Sequence, residues 1–309
     1  MTQPCWLLRC VMMLGAAIVA TAWADDASQK ACDDGDASTC NRLGVAYHQG
    51  EGVERDLAKA VSLWQRACDL HDAQGCINLS VAYRNGDGVE RDLAKAVLGA
   101  QRACDLNDGQ GCSNLGVAYR SGDGVEQDIA QATRAVQKAC DLRHAIGCFN
   151  LGLAYGTGDG VERDQAKAAS LYKRACDLNA ASGCINLGIA YLNGRGVEQD
   201  PAKAVSLYKR ACDLHLALGC NKVGLMSSRG EGVEKDLAQA ASFYQRACDL
   251  NDGVGCIKLA FAYDEGEGLA EDQAKARSLF VKACDLNNED ACSILEAILD
   301  AQSHIDYPY

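Results

Sequence analysis

The sequence predicts an all-α solenoid of helical hairpins, and three periodic observations carry that prediction. Cysteines stand at Cys32, Cys68, Cys104, Cys140, Cys176, Cys212, Cys248 and Cys284, each 36 residues after the last. Each has a partner eight residues on, at Cys40, Cys76, Cys112, Cys148, Cys184, Cys220, Cys256 and Cys292. Between the pairs, an apolar stripe of helical period and a Gly-rich string ending in Asp recur in the same places, with nothing inserted or deleted. Self-similarity at a fixed period of this length is the mark of a repeat architecture.

Taken in order, the chain opens with Arg9, a mostly apolar run from Cys10 to Ala20, and Ala22-Trp23-Ala24. That pattern predicts a signal peptide over 1–24, cleaved after Ala24 and removing Cys5 and Cys10. The apolar run is shorter than the roughly 20 residues a spanning helix needs. A truncated helix is expected over 25–35, seven helical hairpins over 36–287, a capping helix over 288–300 and a tail over 301–309.

The second unit, 72–107, shows why each hairpin forms. Cys76, Leu79, Ser80 and Tyr83 follow the i, i+3, i+4, i+7 spacing of one buried helical stripe, which predicts helix A over 73–85. Where Ser80 stands, Gly44, Gly116, Gly152, Gly188 and Gly224 occupy most of the other units. Glycine inside a helix costs about 1 kcal/mol relative to Ala, so a close helix-to-helix approach is expected there. The string Gly86-Asp87-Gly88-Val89-Glu90-Arg91-Asp92 then ends the helix. Its glycines are free to take positive φ, Val89 is placed to plug the hairpin, and Asp92 is the natural N-cap of helix B, predicted over 93–106. In the fifth unit Pro201 follows the equivalent Asp200, and proline suits the first helical position.

Residues eight apart in an unbroken helix lie about 12 Å from each other. A disulfide tolerates Cα atoms up to about 7 Å apart. A turn must therefore intervene, and Asp69-Leu70-His71-Asp72 and its equivalents supply it, so that each bridge ties a helix B to the following helix A. Such a short loop gives roughly 2–3 kcal/mol per bridge in the chain-entropy model. Zinc sites use other spacings, and His48, His71, His144, His215 and His304 keep no register with the cysteines, so no metal and no cofactor is expected. No C-x-x-C redox motif occurs.

Sixteen of the 18 cysteines lie in this frame, an abundance that belongs to an oxidising compartment, and a periplasmic or secreted location is expected. The formal net charge of −12 argues against nucleic acid and anionic lipid as partners and favours a basic one. With only three prolines and no Ser-rich linker, one continuous array is expected, as a monomer with no membrane span.

The recurring L-G-x-A-Y, G-x-G-V-E-x-D and A-K-A-x-x-L-Y-x-R-A-C-D-L strings resemble the Sel-one-like repeat family, relatives of tetratricopeptide repeats. The added cysteine pair is similar to the cysteine-rich Helicobacter protein family of secreted solenoids. This resemblance covers about 32–300 and implies a right-handed superhelix whose concave face is lined by helix A. By analogy with tetratricopeptide relatives, the positions one, five, eight and nine after the cysteine project into that face. They read Ile77, Val81, Arg84 and Asn85, then Ser113, Val117, Arg120 and Ser121, then Phe149, Leu153, Gly156 and Thr157, then Ile185, Ile189, Leu192 and Asn193. An apolar strip with polar edges suits a protein or peptide segment. Asn78, Asn114, Asn150 and Asn186, two residues after the cysteine, are either an amide ladder for a bound backbone or structural, and centre the expected groove on units two to five.

The same resemblance implies a second reading, since some cysteine-rich members carry a β-lactamase label. Ser170 with Lys173 and Ser206 with Lys209 match S-x-x-K, but the S-D-N and K-T-G strings of serine β-lactamases are missing. The expected function is therefore a binding scaffold rather than an enzyme. Two further expectations concern packing. Most helices B carry a large pair such as Leu63-Trp64 or Leu207-Tyr208, whereas Gly99-Ala100 and Ala135-Val136 are small, which predicts a change in curvature or a small pocket. Ser227 in place of the stripe Tyr predicts a looser sixth unit.

Overall fold

The structure, a computed structural model, describes residues 26–303, with side chains described over 26–297. The expected leader over 1–24 lies outside the described residues, as do residues 304–309 of the expected tail. The described part falls into two compact units, divided between Leu142 and Arg143.

The first unit holds α1 (Asp26–Asp33), α2 (Ala37–Gln49), α3 (Leu57–Asp69), α4 (Ala73–Asn85), α5 (Leu93–Asp105), α6 (Gly109–Ser121) and α7 (Ile129–Asp141). The second holds α8 (Ala145–Thr157), α9 (Gln165–Asp177), α10 (Ala181–Asn193), α11 (Pro201–Asp213), α12 (Ala217–Arg229), α13 (Leu237–Asp249), α14 (Gly253–Asp264), α15 (Gln273–Asp285) and α16 (Glu289–Ser303). From α2 onward, even-numbered helices are type A and odd-numbered ones type B. Within each unit every helix packs on its sequence neighbours, so the architecture is all-α, built of consecutive hairpins.

Local sequence sets each boundary. The Asp before helix B caps it: the Asp92 carboxylate accepts from the Lys95 amide at 3.0 Å, and Asp200, preceding Pro201, accepts from Lys203 at 3.0 Å. Helix A ends on a left-handed glycine such as Gly86, whose amide donates to the Ala82 carbonyl at 2.8 Å. The turn from B to the next A places a single residue at positive φ, including His71, Asn107, Asn179 and His215. Asp72 and Asp108 then cap α4 and α6, whereas α10 and α12 begin at Ala180 and Leu216 with no side-chain cap.

The disulfides sit on those turns. Cys68–Cys76 and Cys104–Cys112 close the junctions of the first unit, with Cα atoms 4.5 and 4.4 Å apart, and Cys176–Cys184, Cys212–Cys220 and Cys248–Cys256 those of the second. Cys32–Cys40 ties α1 to α2, Cys284–Cys292 ties α15 to α16, and Cys140 and Cys148 are also disulfide-bonded. Outside the core the hairpins are linked by exposed ion pairs one repeat apart, such as Arg102 with Asp69 at 3.0 Å and Arg246 with Asp213 at 2.8 Å. Pairs this exposed add about 0–1 kcal/mol each.

Inside each hairpin, the bulk at one position of helix A is matched to that of helix B. Gly188 faces Tyr208 so closely that a methyl there would stand 2.5 Å from the ring, and Gly44 faces Trp64 in the same way. The second repeat reverses this arrangement. Ser80, on α4, donates to the Ala96 carbonyl of α5 at 2.6 Å, and a methyl on Gly99 would come within 3.0 Å of the Ser80 Cβ. No pocket opens at Gly99: the two backbones draw together, and the missing side-chain volume is replaced by main chain. The sixth repeat is not loosened either. Ser227 is fully buried and donates to Gln239 Oε1 at 2.9 Å, where other repeats set a Lys over the stripe Tyr, as Lys203 over Tyr191.

Candidate functional site

The helix-A residues expected to face a ligand separate into buried and exposed sets. Ile77 and Ile185 are 1% and 4% exposed and belong to the core. This corrects the sequence reading at these two positions, where the residue just after the cysteine packs into the core; Phe149 and Ile257 at the same position are half-buried. The outward residue is the fifth after the cysteine. In the first unit Val81 is exposed and Val117 is 49% exposed; in the second, Leu153 and Ile189 are half-buried and Phe261 is exposed.

Polar residues border this row toward the C-terminal ends of the A helices. Arg84 is exposed, Arg120 is half-buried, and Asn85 donates to the Asp87 carboxylate at 3.1 Å. Phe149 is half-buried, its ring centroid 6.1 Å from that of Tyr172.

The asparagines two residues after the cysteine are engaged within the protein where their bonds are defined. Asn78 donates to Asn41 Oδ1 at 2.8 Å and accepts from Gln74, and Asn186 is hydrogen-bonded to the Tyr172 hydroxyl. Asn114 and Asn150 are half-buried. At the same position Lys222 and Lys258 lie over the rings of Tyr208 and Tyr244, on the preceding helix B. Asn186, Lys222 and Lys258 thus meet an aromatic ring of the preceding helix B, while Asn78 meets Asn41 of the preceding helix A.

A row that sequence reasoning missed lies two residues before the cysteine. Ile146, Leu218 and Val254 are exposed there, where the first unit has Ser38, Gln74 and Gln110. Each stands seven residues before Leu153, Leu225 or Phe261, hence on the same helix face. That i, i+7 recurrence was the available signal.

Ser170 and Ser206 are exposed on helices B. Lys173 is ion-paired with Asp177 at 2.7 Å rather than directed at Ser170. Among the described residues no helix is long and apolar enough to cross a membrane.

The model of the Sel1 repeat matches seven consecutive segments, 37–72, 73–108, 109–144, 145–179, 181–216, 217–252 and 253–288. The chain belongs to the Sel1 repeat family. Its helices A and B, Gly-Asp loops and buried Ala and Gly positions are therefore those of Sel1 repeats, with a disulfide added at the junctions. Among solved structures, this Sel1 repeat protein is similar to c5321, described as a protective antigen of uropathogenic Escherichia coli strains with an SLR fold. The two are 28% identical with a TM-score of 0.77, over 89% of this chain and 59% of that one. The chain thus spans under two thirds of that protein. A Sel1 repeat protein from Oxalobacter formigenes is 24% identical with a TM-score of 0.73, covering 88% of this chain and 78% of that one, a likeness that shows the fold. Helicobacter pylori cysteine rich protein B is 36% identical over 44% of this chain and 97% of that one, with a TM-score of 0.37. No curated protein matches the chain.

Proposed function

We propose that the chain is an extracytoplasmic binding scaffold, periplasmic or secreted behind a cleaved leader, that docks a protein or peptide segment on its helix-A faces. The observation that carries this reading is the exposed apolar row on helix A. In hairpins whose stripe positions are otherwise buried, Val81, Val117 and Phe261 remain open to solvent and recur in register. Apolar side chains repeated at one position of a rigid frame are what an elongated ligand can engage one repeat at a time. The disulfides support the compartment, because buried bridges at successive junctions form and persist where the milieu is oxidising. The described antigenic role of the Escherichia coli relative fits a chain that leaves the cytoplasm.

A photo-crosslinking residue placed at Val81 or Val117 tests this, with the same residue at the exposed helix-B position Ser170 as control. Adducts on a defined segment of one partner from the first two positions, and none from Ser170, are expected. Equal labelling from all three, or labelling from Ser170 alone, overturns the reading.

A further inference from the structure

The first and last described helices are half-hairpins, and they match each other in the repeat frame. α1 is the end of a helix B: its Gln29-Lys30-Ala31-Cys32-Asp33 stands 36 residues before Gln65-Arg66-Ala67-Cys68-Asp69. α16 is a helix A, with Cys292 and Leu295 in the places of Cys256 and Leu259. Among the described residues α1 has no helix A before it and α16 no helix B after it. Their inner faces are open accordingly. Leu43 packs with Leu63 and Ala67 of its own helix B and is 1% exposed, whereas Leu295, in the same slot, is half-buried. Ala67 is fully buried, but Ala31 in its slot is half-buried, and Ala27, in the slot of Leu63, is exposed.

The ion pairs between repeats end in the same two places. Arg66, Arg102 and Arg246 each reach the Asp that closes the preceding helix B, Asp33 at 3.2 Å, Asp69 at 3.0 Å and Asp213 at 2.8 Å. In this series Lys30 holds the cation slot with no earlier described helix B to reach, and Asp285 holds the carboxylate slot with no later one; both are exposed. Bulk is matched as well. Glu296 stands where Gly44 faces Trp64, and the slot of Trp64 on α1 is Ser28, so a large residue on helix A meets a small one on helix B. Val281, 40% exposed, takes the slot of Lys209, whose Nζ lies over the Phe243 ring of the next helix B. The slot of Phe243 on α1 is Ala27.

We propose that α1 of one copy of this chain docks on α16 of a second copy and completes its hairpin. Lys30 of the docked copy then takes the slot one repeat after Lys282 and reaches Asp285, while its Ala27 and Ala31 cover Leu295 and Val281. The contact joins the head of one copy to the tail of the next, so addition does not stop at two. It is one short helix wide, which makes the association weak and dependent on concentration. The monomer expected from the sequence is the dilute form. The inference rests on removal of the leader, part of the reading above, because the leader ends at the start of α1; it is independent of the helix-A docking face.

The test is sedimentation velocity of the oxidised, exported chain over a concentration series, with intact mass reporting whether it starts at Asp25. Mass that grows with concentration is expected. Lys30→Glu and Asp285→Lys are each expected to weaken association about tenfold, because a like-charge pair replaces an ion pair. Both positions are exposed, and melting curves report an intact fold. An equimolar mixture of the two variants is expected to regain association, since every contact between unlike copies again joins opposite charges. A mass that does not change with concentration, variants that associate as well as the natural chain, or a mixture no better than its components overturns the proposal. So does a photo-crosslinking residue at Leu295 that labels residues 304–309 of its own chain. A retained leader overturns it together with the extracytoplasmic reading, whereas a processed chain that stays monomeric overturns it alone.

Discussion

Two glycines of one loop separate backbone strain from packing. Gly194 and Gly196 both have positive φ, +66° and +72°, but their surroundings differ. A methyl on Gly194 would rest 3.5 Å from the Gln199 Cβ, an ordinary contact. On Gly196 it would overlap the Gln165 carbonyl and stand 2.6 Å from the Ala166 nitrogen, at the first turn of the preceding repeat's helix B. A left-handed L-residue costs about 1–2 kcal/mol, and that is the expected loss for Gly194→Ala. Gly196→Ala carries the same strain and also forces the loop away from α9, for which overpacking data give about 1–3 kcal/mol more. Each substitution stiffens the unfolded chain by about 0.4–1 kcal/mol, which cancels in the comparison. Urea unfolding followed by helical circular dichroism should place Gly196→Ala well below Gly194→Ala in midpoint at similar slope. Coincident midpoints would refute the idea that this glycine is there for the contact between repeats.

Three further outcomes are expected. Ala180→Asp supplies the N-cap that α10 lacks and should raise stability by about 1 kcal/mol in the same urea assay, whereas Leu216→Asp at the equivalent position of α12 should gain less, because Leu216 packs against the neighbouring core. The Asp36 carboxyl is lowered to about 2 by the Thr39 hydroxyl, the Thr39 amide and the Ser38 hydroxyl, while burial raises Tyr208 to about 12. The first contribution is present above the unfolded carboxyl value near 4 and is lost as pH falls toward 2. The second is present below about 10 and is lost as pH rises toward 12. Thermal melts should therefore fall off in both windows. Tyr208→Phe should flatten the alkaline limb and be harmless near neutrality, since that buried hydroxyl lacks a hydrogen-bond partner. Cys284 and Cys292 are only half-buried, whereas the other described cysteines are buried, so timed mild reduction with alkylation and peptide mapping should open this bridge first. Simultaneous loss of all bridges would count against accessibility as the controlling factor.

The fold was readable because its rules are local and repeat. Asp92 and Asp200 announce helix starts by chemistry that needs no tertiary context, and a cysteine spacing of eight forces a turn. The face was read less well. Ile77 and Val81 are both apolar residues of helix A four positions apart, and only packing between hairpins decides that the first is buried and the second exposed. The amides of Asn78 and Asn186 look available in sequence, because Asn41 and the Tyr172 hydroxyl, which engage them, lie on other helices. Gly99 suggested a void for a related reason: side-chain volume can be read from sequence, but the approach of two backbones that compensates for its loss cannot. Ser80 in the facing position was the trace of that compensation.

The central claim is that successive hairpins are clamped covalently across their turns, giving a frame on which a partner docks outside the cytoplasm. Its most direct test is to alkylate the protein as it leaves its native compartment, digest it without reduction and sequence the linked peptides. The expected products join Cys68 to Cys76, Cys104 to Cys112 and so on through the array. Alkylated cysteines at these sites, or links between cysteines of different junctions, would contradict the claim.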